Sequence, residues 1–285
     1  MTLRLLLLII ISSFFFSCMS TKNIDTTKGY QLNEADLAEQ GYTQMFEENF
    51  NDGFDNWRIW HGGAYNNELQ FYTPASLTTA NGVLTIRPQR KKITGPILPG
   101  NTELSDYRFT SGRIESLFEI APMHPDEKIR ICARIMLPKG YGLWPAFWMY
   151  GNTSGEHREI DIMESTGEGD SYIANYHYIN FAENTPANDD ITATHVPSAA
   201  LAEGFHVYEV IWAKDSLTFL LDGIIVVEKR TSEAGQEYIA QLFGHPQRLV
   251  LNLAIGGNMF PDLKRSKIRL QPMHVDWVKV YHNKF

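Results

Sequence analysis

The amino-acid sequence predicts an all-β fold, a sandwich or barrel of many short strands in one long domain. Three observations carry that expectation. From about Tyr42 to Phe285 the 285-residue chain is a series of short runs alternating apolar and polar residues, broken by Gly, Pro and Asn. Asp222-Gly223 stands between two of these runs as a hairpin turn. Stretches with the helical period of apolar residues are nearly absent. Hydrophobic residues make up 44% and charged residues 20%, the balance of a folded domain rather than a disordered one. Lys+Arg 25 against Asp+Glu 33 gives a formal charge of −8 without any basic cluster, which leaves no electrostatic footprint for nucleic acid.

Residues 1–17 read as a secretory signal. Arg4 precedes the apolar run 5–11, and the small Ser17 closes the segment. The run is short for a membrane span. Ser17 directly before Cys18 resembles a bacterial lipobox, in which Cys18 becomes the lipidated first residue of the mature chain. That reading implies an exported cell-envelope lipoprotein, at the outer membrane or cell surface, held to the membrane through Cys18. With Cys18 acylated, Cys132 has no disulfide partner, and its apolar stretch Ile129-Arg130-Ile131-Cys132-Ala133 makes it a buried small hydrophobe. Residues 18–40 are polar without a sustained pattern and are expected to be a tether. Residues 41–285 are expected to form the single folded domain.

Within that domain the runs at 82–87, 113–120 and 205–212 read as strands. The run 217–221 turns through Asp222-Gly223 into 224–227, and 248–253 with 275–281 reads as a second pair.

The chemistry concentrates in Glu159-Ile160-Asp161-Ile162-Met163-Glu164. Alternation puts Glu159 and Asp161 on one face while Ile160 and Ile162 enter the core. Strict alternation would then place Met163, not Glu164, beside the other acids. One bulge residue between Ile162 and Glu164 restores all three carboxylates to one face. Three like charges repel, so the set makes sense where protons are shared, one acid protonated as donor and another ionised as nucleophile. Side chains so placed converge to about 5–5.5 Å, the separation of a retaining glycosidase. Taken alone, the same pattern also describes a solvated acidic strand face. Just upstream, Gly142-Leu143-Trp144-Pro145-Ala146-Phe147-Trp148-Met149 brings two tryptophans, which suit stacking on the C–H faces of sugar rings or packing in a sandwich core. No HExxH-type histidine pair and no phosphate-cradling glycine loop accompanies them.

The segment GLWPAFWM followed by EIDIME resembles the signature of glycoside hydrolase family 16, especially its endo-β-1,3-glucanase (laminarinase) branch. The segments FEENF at 46–50, NNELQFYT at 66–73, NGVLTI at 81–86, TSGRI at 110–114, LNLAIGGN at 251–258 and VDWVKVY at 275–281 extend the likeness over nearly the whole domain. The resemblance implies a concanavalin-like jelly-roll β-sandwich of two curved antiparallel sheets with a concave-face cleft. It implies Glu159 as nucleophile, Glu164 as general acid/base and Asp161 as the residue orienting the nucleophile. Trp144 and Trp148 match residues lining the subsites, and Asn67 resembles a polar contact at the non-reducing side. His177 matches a histidine near the leaving group, with a purely structural histidine as the alternative. Asp276, with backbone near Glu48, resembles a structural calcium site, with a surface ion pair as the alternative; no other cofactor is required. The implied activity is retaining endo-cleavage of internal β-1,3 or mixed β-1,3/1,4 linkages of a glucan by a monomer. The expected partners are the polysaccharide substrate and the membrane. The alternatives are a relative acting on another polysaccharide such as a marine galactan, or a non-catalytic glycan-binding sandwich. The chain departs from the family pattern at Gly155-Glu156-His157-Arg158 and at Ser165. Arg158, beside the nucleophile, is expected to lower carboxylate pKa values or to contact an anionic sugar.

Overall fold

Period-two alternation lets a strand bury one face, and two sheets stacked face to face bury both inner faces at once. The computed structural model, which describes residues 24–153, 156–180, 185–194, 201–230 and 239–284, has this arrangement. Residues 1–17 and Cys18 lie outside the described residues.

In chain order the first strands are β1 (Thr43–Glu48), β2 (Trp57–Ile59), β3 (Gln70–Tyr72), β4 (Leu77–Ala80), β5 (Val83–Ile86) and β6 (Gln89–Pro96). They continue as β7 (Leu104–Ser111), β8 (Arg113–Ser116), β9 (Glu127–Met136), β10 (Leu143–Thr153), β11 (Glu156–Glu164) and β12 (Ser171–Asn180). The rest are β13 (Thr185–Thr194), β14 (His206–Ala213), β15 (Ser216–Leu221), β16 (Ile224–Arg230), β17 (Arg248–Ile255) and β18 (Met273–Lys284). One sheet runs β13-β12-β11-β10-β17-β8-β2, and the sheet behind it runs β16-β15-β14-β9-β18-β5-β4 with β1 on β18. A small third sheet, β3-β7-β6, contains the parallel pair β3–β7. Between the two large sheets lies one apolar cluster, with Phe147, Met149, Ile160 and Ile162 from the first and Ile131, Val210, Phe219 and Val280 from the second.

The hairpin at Asp222-Gly223 forms as expected. Both residues have positive φ, 54° and 76°, as a two-residue primed turn requires. The second expected pair does not form, because β17 belongs to the first sheet and β18 to the second. Alternation marks a strand but not its neighbour, and a sandwich threads successive strands through both layers.

The expected tether at 18–40 is docked chain from Lys28 onward. Tyr30 N donates to Phe205 O at 2.9 Å, and a short helix, α1 (Glu34–Glu39), is capped by Asn33. Leu37 buries against Tyr42, Cys132, Val207 and Tyr281 on the outer face of the second sheet, which contributes about 2 kcal/mol. The deciding group is Arg134, whose side chain is 0% exposed. Its guanidinium donates to Lys28 O at 2.9 Å, to Tyr30 O at 2.7 Å and to Asp276 at 2.6 Å. A buried guanidinium needs acceptors, and backbone carbonyls, which leave no trace in composition, supply two of them. Cys132 is buried as expected.

The same ion pair bears on the calcium expectation at Asp276. Asp276 is held by Arg134, while the Glu48 carboxylate accepts Phe50 N, Asn56 Nδ2 and Trp57 Nε1. Asp276 thus stands in the ion pair that the sequence offered as the alternative to calcium.

His274 on β18 is buried beside Thr85, its Nδ1 3.0 Å from the hydroxyl. Burial, helped by the charge of Arg87, lowers its pKa from 6.5 to about 4. Below the higher value the unfolded chain takes up a proton that the folded chain refuses. Stability is therefore full above that value and falls as pH drops toward the lower one, by about 3 kcal/mol in all. Thermal unfolding from pH 7 to 4 is expected to show this slope and His274→Gln to flatten it. An equal slope in the variant would place the acid sensitivity elsewhere.

Candidate active site

The site begins with a miscount in β11. Against β10, Met163 pairs with Phe147 and Asp161 with Trp148, which leaves Ile162 as the extra residue. The register with β12 shifts between Asp161 and Glu164 as well. Ile162 and Met163 are both buried in the core, and Glu159, Asp161 and Glu164 share the opposite face. The bulge thus falls one residue earlier than Met163, where alternation alone put it. Two consecutive apolar side chains make either position return Glu164 to the acidic face.

Directly opposed residues share a face, so the register maps the floor of the site. One row runs His177–Glu159–Tyr150–Arg248 across β12, β11, β10 and β17. The next runs Asn175–Asp161–Trp148–Val250–Glu115–Arg58 and reaches β8 and β2. The third runs Ile173–Glu164–Ala146–Asn252–Arg113. Acids stand at one end of this face and arginines at the other, with tryptophan and tyrosine between.

Each acid has a named neighbour. His177 Nε2 lies 3.3 Å from Asp161 Oδ2 and 3.6 Å from Glu159 Oε1, and 3.2 Å from Asn175 Nδ2. His157 Nε2 lies 2.6 Å from Glu159 Oε2 and its ring stacks on Tyr150. The hydrogen bond to Glu159 raises the His157 pKa above its ordinary value against the opposing effect of burial. Trp144 Nε1 donates to Glu164 Oε1 at 2.8 Å. Trp148 Nε1 donates to Asn252 Oδ1 at 2.7 Å, with its ring stacked on Tyr150. Both tryptophans are half-buried on the acid face rather than packed in the core. Gly257 permits the Trp144 position, because a Cβ there would stand 2.9 Å from Trp144 Cζ3.

Asn67 has φ 57°, donates to Asn258 Oδ1 at 2.8 Å and lines a cavity of about 380 Å³ with Leu69, Gly257, Asn258 and Phe260. Gly257 joins this cavity to Trp144, so Asn67 stands at the Trp144 side of the site. Arg158 does not reach the face. It is 5% exposed, and its Nε donates to Gln241 O at 2.8 Å, because strand alternation turns it away from Glu159. One ring nitrogen of His177 and one carboxylate oxygen each of Glu159 and Asp161 lie within 4.8 Å of one another, close enough to share a proton or to surround a small cation.

Sequence reasoning missed His157, Asn175, Asn252, Tyr150 and the arginine group at 58, 113 and 248. Tyr150 was within reach, since it continues the alternation of Trp144, Ala146 and Trp148. His157 was within reach as well, since on β11 it continues the alternation of Glu159 and Asp161; the others depend on which strands neighbour β11 and β10, and alternation carries no such signal.

The profile of the family described as "Glycosyl hydrolases family 16" matches residues 85–279. The chain belongs to this family. It is 29% identical over 231 residues to "Glucan endo-1,3-beta-glucosidase A1" of Niallia circulans, across 76% of this chain and 32% of that protein. It thus spans about a third of the length of that relative. It is 31% identical over 240 residues to "Glucan endo-1,3-beta-glucosidase" of Cryptopygus antarcticus, across 79% of this chain and 84% of the relative. Among solved structures, the catalytic domain of an endo-1,3-beta-glucanase (laminarinase) from Thermotoga petrophila superposes with a TM-score of 0.70. Identity there is 26%, over 86% of this chain and 99% of that one. The family-16 jelly roll expected from the sequence is therefore the fold observed.

Proposed function

We propose that this family-16 chain is a retaining endo-glycoside hydrolase that cleaves internal β-1,3 or mixed β-1,3/1,4 linkages of a glucan. The observation that carries the reading is the one-residue bulge at Ile162, which brings Glu159, Asp161 and Glu164 to one face beside Trp144 and Trp148. Its relatives of Niallia circulans and Cryptopygus antarcticus, both named for β-1,3-glucan cleavage, support the substrate class. A binding-only sandwich gains nothing from three acids on one strand, whose mutual repulsion opposes folding.

The chemistry follows from the neighbours. Glu164 protonates the glycosidic oxygen while Glu159 attacks the anomeric carbon, forming a glycosyl-enzyme and releasing the first sugar fragment. Glu164, now a carboxylate, takes a proton from water as the water oxygen displaces Glu159. The indole N–H of Trp144 fixes the Glu164 carboxyl, and His157 orients Glu159 from its outer side. Asp161, with His177 beside it, lies next to Glu159 and tunes its charge. Trp148 and the cavity at Asn67 offer the sugar-stacking and polar surfaces.

Export and lipid attachment through Cys18, with the monomeric domain at the cell envelope, belong to the same proposal. Export and the anchor rest on the lipobox-like Ser17-Cys18. Among the described residues no helix is long and apolar enough to cross a membrane.

Glu159→Gln and Glu164→Gln are each expected to lower kcat at least about a thousandfold with a melting temperature no lower than the parent's. Asp161→Asn is expected to retain more, losing about ten- to a hundredfold. Turnover at the parental rate by either glutamine variant, measured as reducing ends released from laminarin, would end the assignment. Cys18→Ser is expected to move the protein from the detergent-extracted membrane fraction to the soluble one. A mature chain that starts elsewhere than residue 18 contradicts the anchor.

A further inference from the structure

The end of the acid-bearing face farthest from Glu159 has a different chemistry. Glu115 is 0% exposed and meets three guanidiniums. Its Oε1 accepts Arg113 Nε at 3.1 Å, Arg113 Nη2 at 2.7 Å and the Tyr150 hydroxyl at 3.3 Å. Its Oε2 accepts Arg58 Nη2, with Arg248 Nη1 at 3.9 Å. Burial alone would raise this carboxyl, but Arg113 and the hydrogen bonds from Arg58 and Arg113 outweigh burial and hold its pKa below the ordinary value. Arg113, bound to Glu115 through two nitrogens, already neutralises it. Arg248 finds a second acid in Glu119. Three arginines and two glutamates leave this corner one positive charge, in a chain whose formal charge is −8.

Arg58 is the cation with capacity left. Its side chain is 53% exposed, and its bond to Glu115 uses one of the five N–H donors of a guanidinium. It lines a cavity of about 450 Å³ with Trp60, Tyr65 and the turn Leu98-Pro99-Gly100-Asn101. The Trp60 and Tyr65 rings meet edge to face at 6.4 Å, and Trp60 rests on Arg113 with 4.2 Å from guanidinium to ring centre. Aromatic walls suit the C–H face of a sugar, and a free planar fork suits a two-oxygen anion. Arg58 lies in the same cross-strand row as Asp161, four strand spacings away, about 19 Å. A glycan crossing the strands therefore reaches this cavity several sugar units from the cleaved bond.

We propose that the Arg58 cavity is a subsite for an anionic substituent, a sulfate ester or a carboxylate, carried by a distal sugar of the glucan. The proposal rests on the glucan-hydrolase reading above. It returns the anionic-sugar contact expected of Arg158 to the far end of the site, where an exposed guanidinium exists.

The test uses the full chain carrying Glu159→Gln, so that polymers bind without turnover, and isothermal titration with three laminarins: unmodified, sparsely carboxymethylated and sparsely sulfated. At low salt one or both modified polymers are expected to bind about tenfold more tightly than the unmodified one. The gain is expected to shrink in about 0.5 M salt. Adding Arg58→Gln is expected to equalise the polymers, with the melting temperature of the parent showing that the fold is kept. A gain with sulfated polymer alone identifies a sulfate site, and with carboxymethylated polymer alone a carboxylate site. Equal or weaker binding of both modified polymers, or a gain that survives Arg58→Gln, overturns the subsite while leaving the hydrolase reading intact. Failure to bind even unmodified laminarin would instead remove the glucan reading on which it stands.

Discussion

The one residue by which β11 outruns β10 determines what the acid-bearing face can do. Without the bulge at Ile162, Glu164 would enter an apolar core and Met163 would face solvent, a reversal that buries a carboxylate among hydrocarbon side chains. With it, the core keeps Ile160, Ile162 and Met163 while the acids share one face, Glu164 bonded by Trp144 and Asp161 beside His177. The packing of the sandwich and the placement of the three acids are thus two consequences of a single insertion. Because the core side chains are locked between two sheets, the acids inherit their rigidity, which a site on a loop would lack.

Both sheets manage polar groups on their outer faces by borrowing partners from distant chain. On the first sheet, Glu115 is surrounded by arginines from β2, β8 and β17. On the second, Arg134 draws on Asp276 of β18 and on carbonyls of the N-terminal segment. The second arrangement ties residues 28–42 across the face opposite the acids. Truncating that segment would expose a buried guanidinium and the small cluster around Leu37, so it belongs to the fold rather than to a spacer.

The legible part of the molecule was local. Alternation along 143–150 and 159–164, the Asp222-Gly223 turn and the buried Cys132 could be read directly, and the acids followed from their own spacing. Strand partnership was not legible, and that is why 248–253 and 275–281 were paired in error and why Asn175, Asn252 and Arg58 went unseen. Composition also misjudged residues 28–40, whose polar side chains face solvent while their carbonyls serve Arg134. Arg158 shows the converse limit: adjacency to Glu159 in sequence means opposite faces in a strand.

The proposed function requires Glu159 and Glu164, brought to one face of a bulged strand, to act by direct attack with no water between nucleophile and anomeric carbon. Two successive inversions then give net retention. Proton NMR in the first minutes of laminarin digestion, before mutarotation, reads the configuration of the newly formed reducing end. The β-anomer is expected first, and an initial α-anomer would contradict both the double displacement and the role given to the bulge.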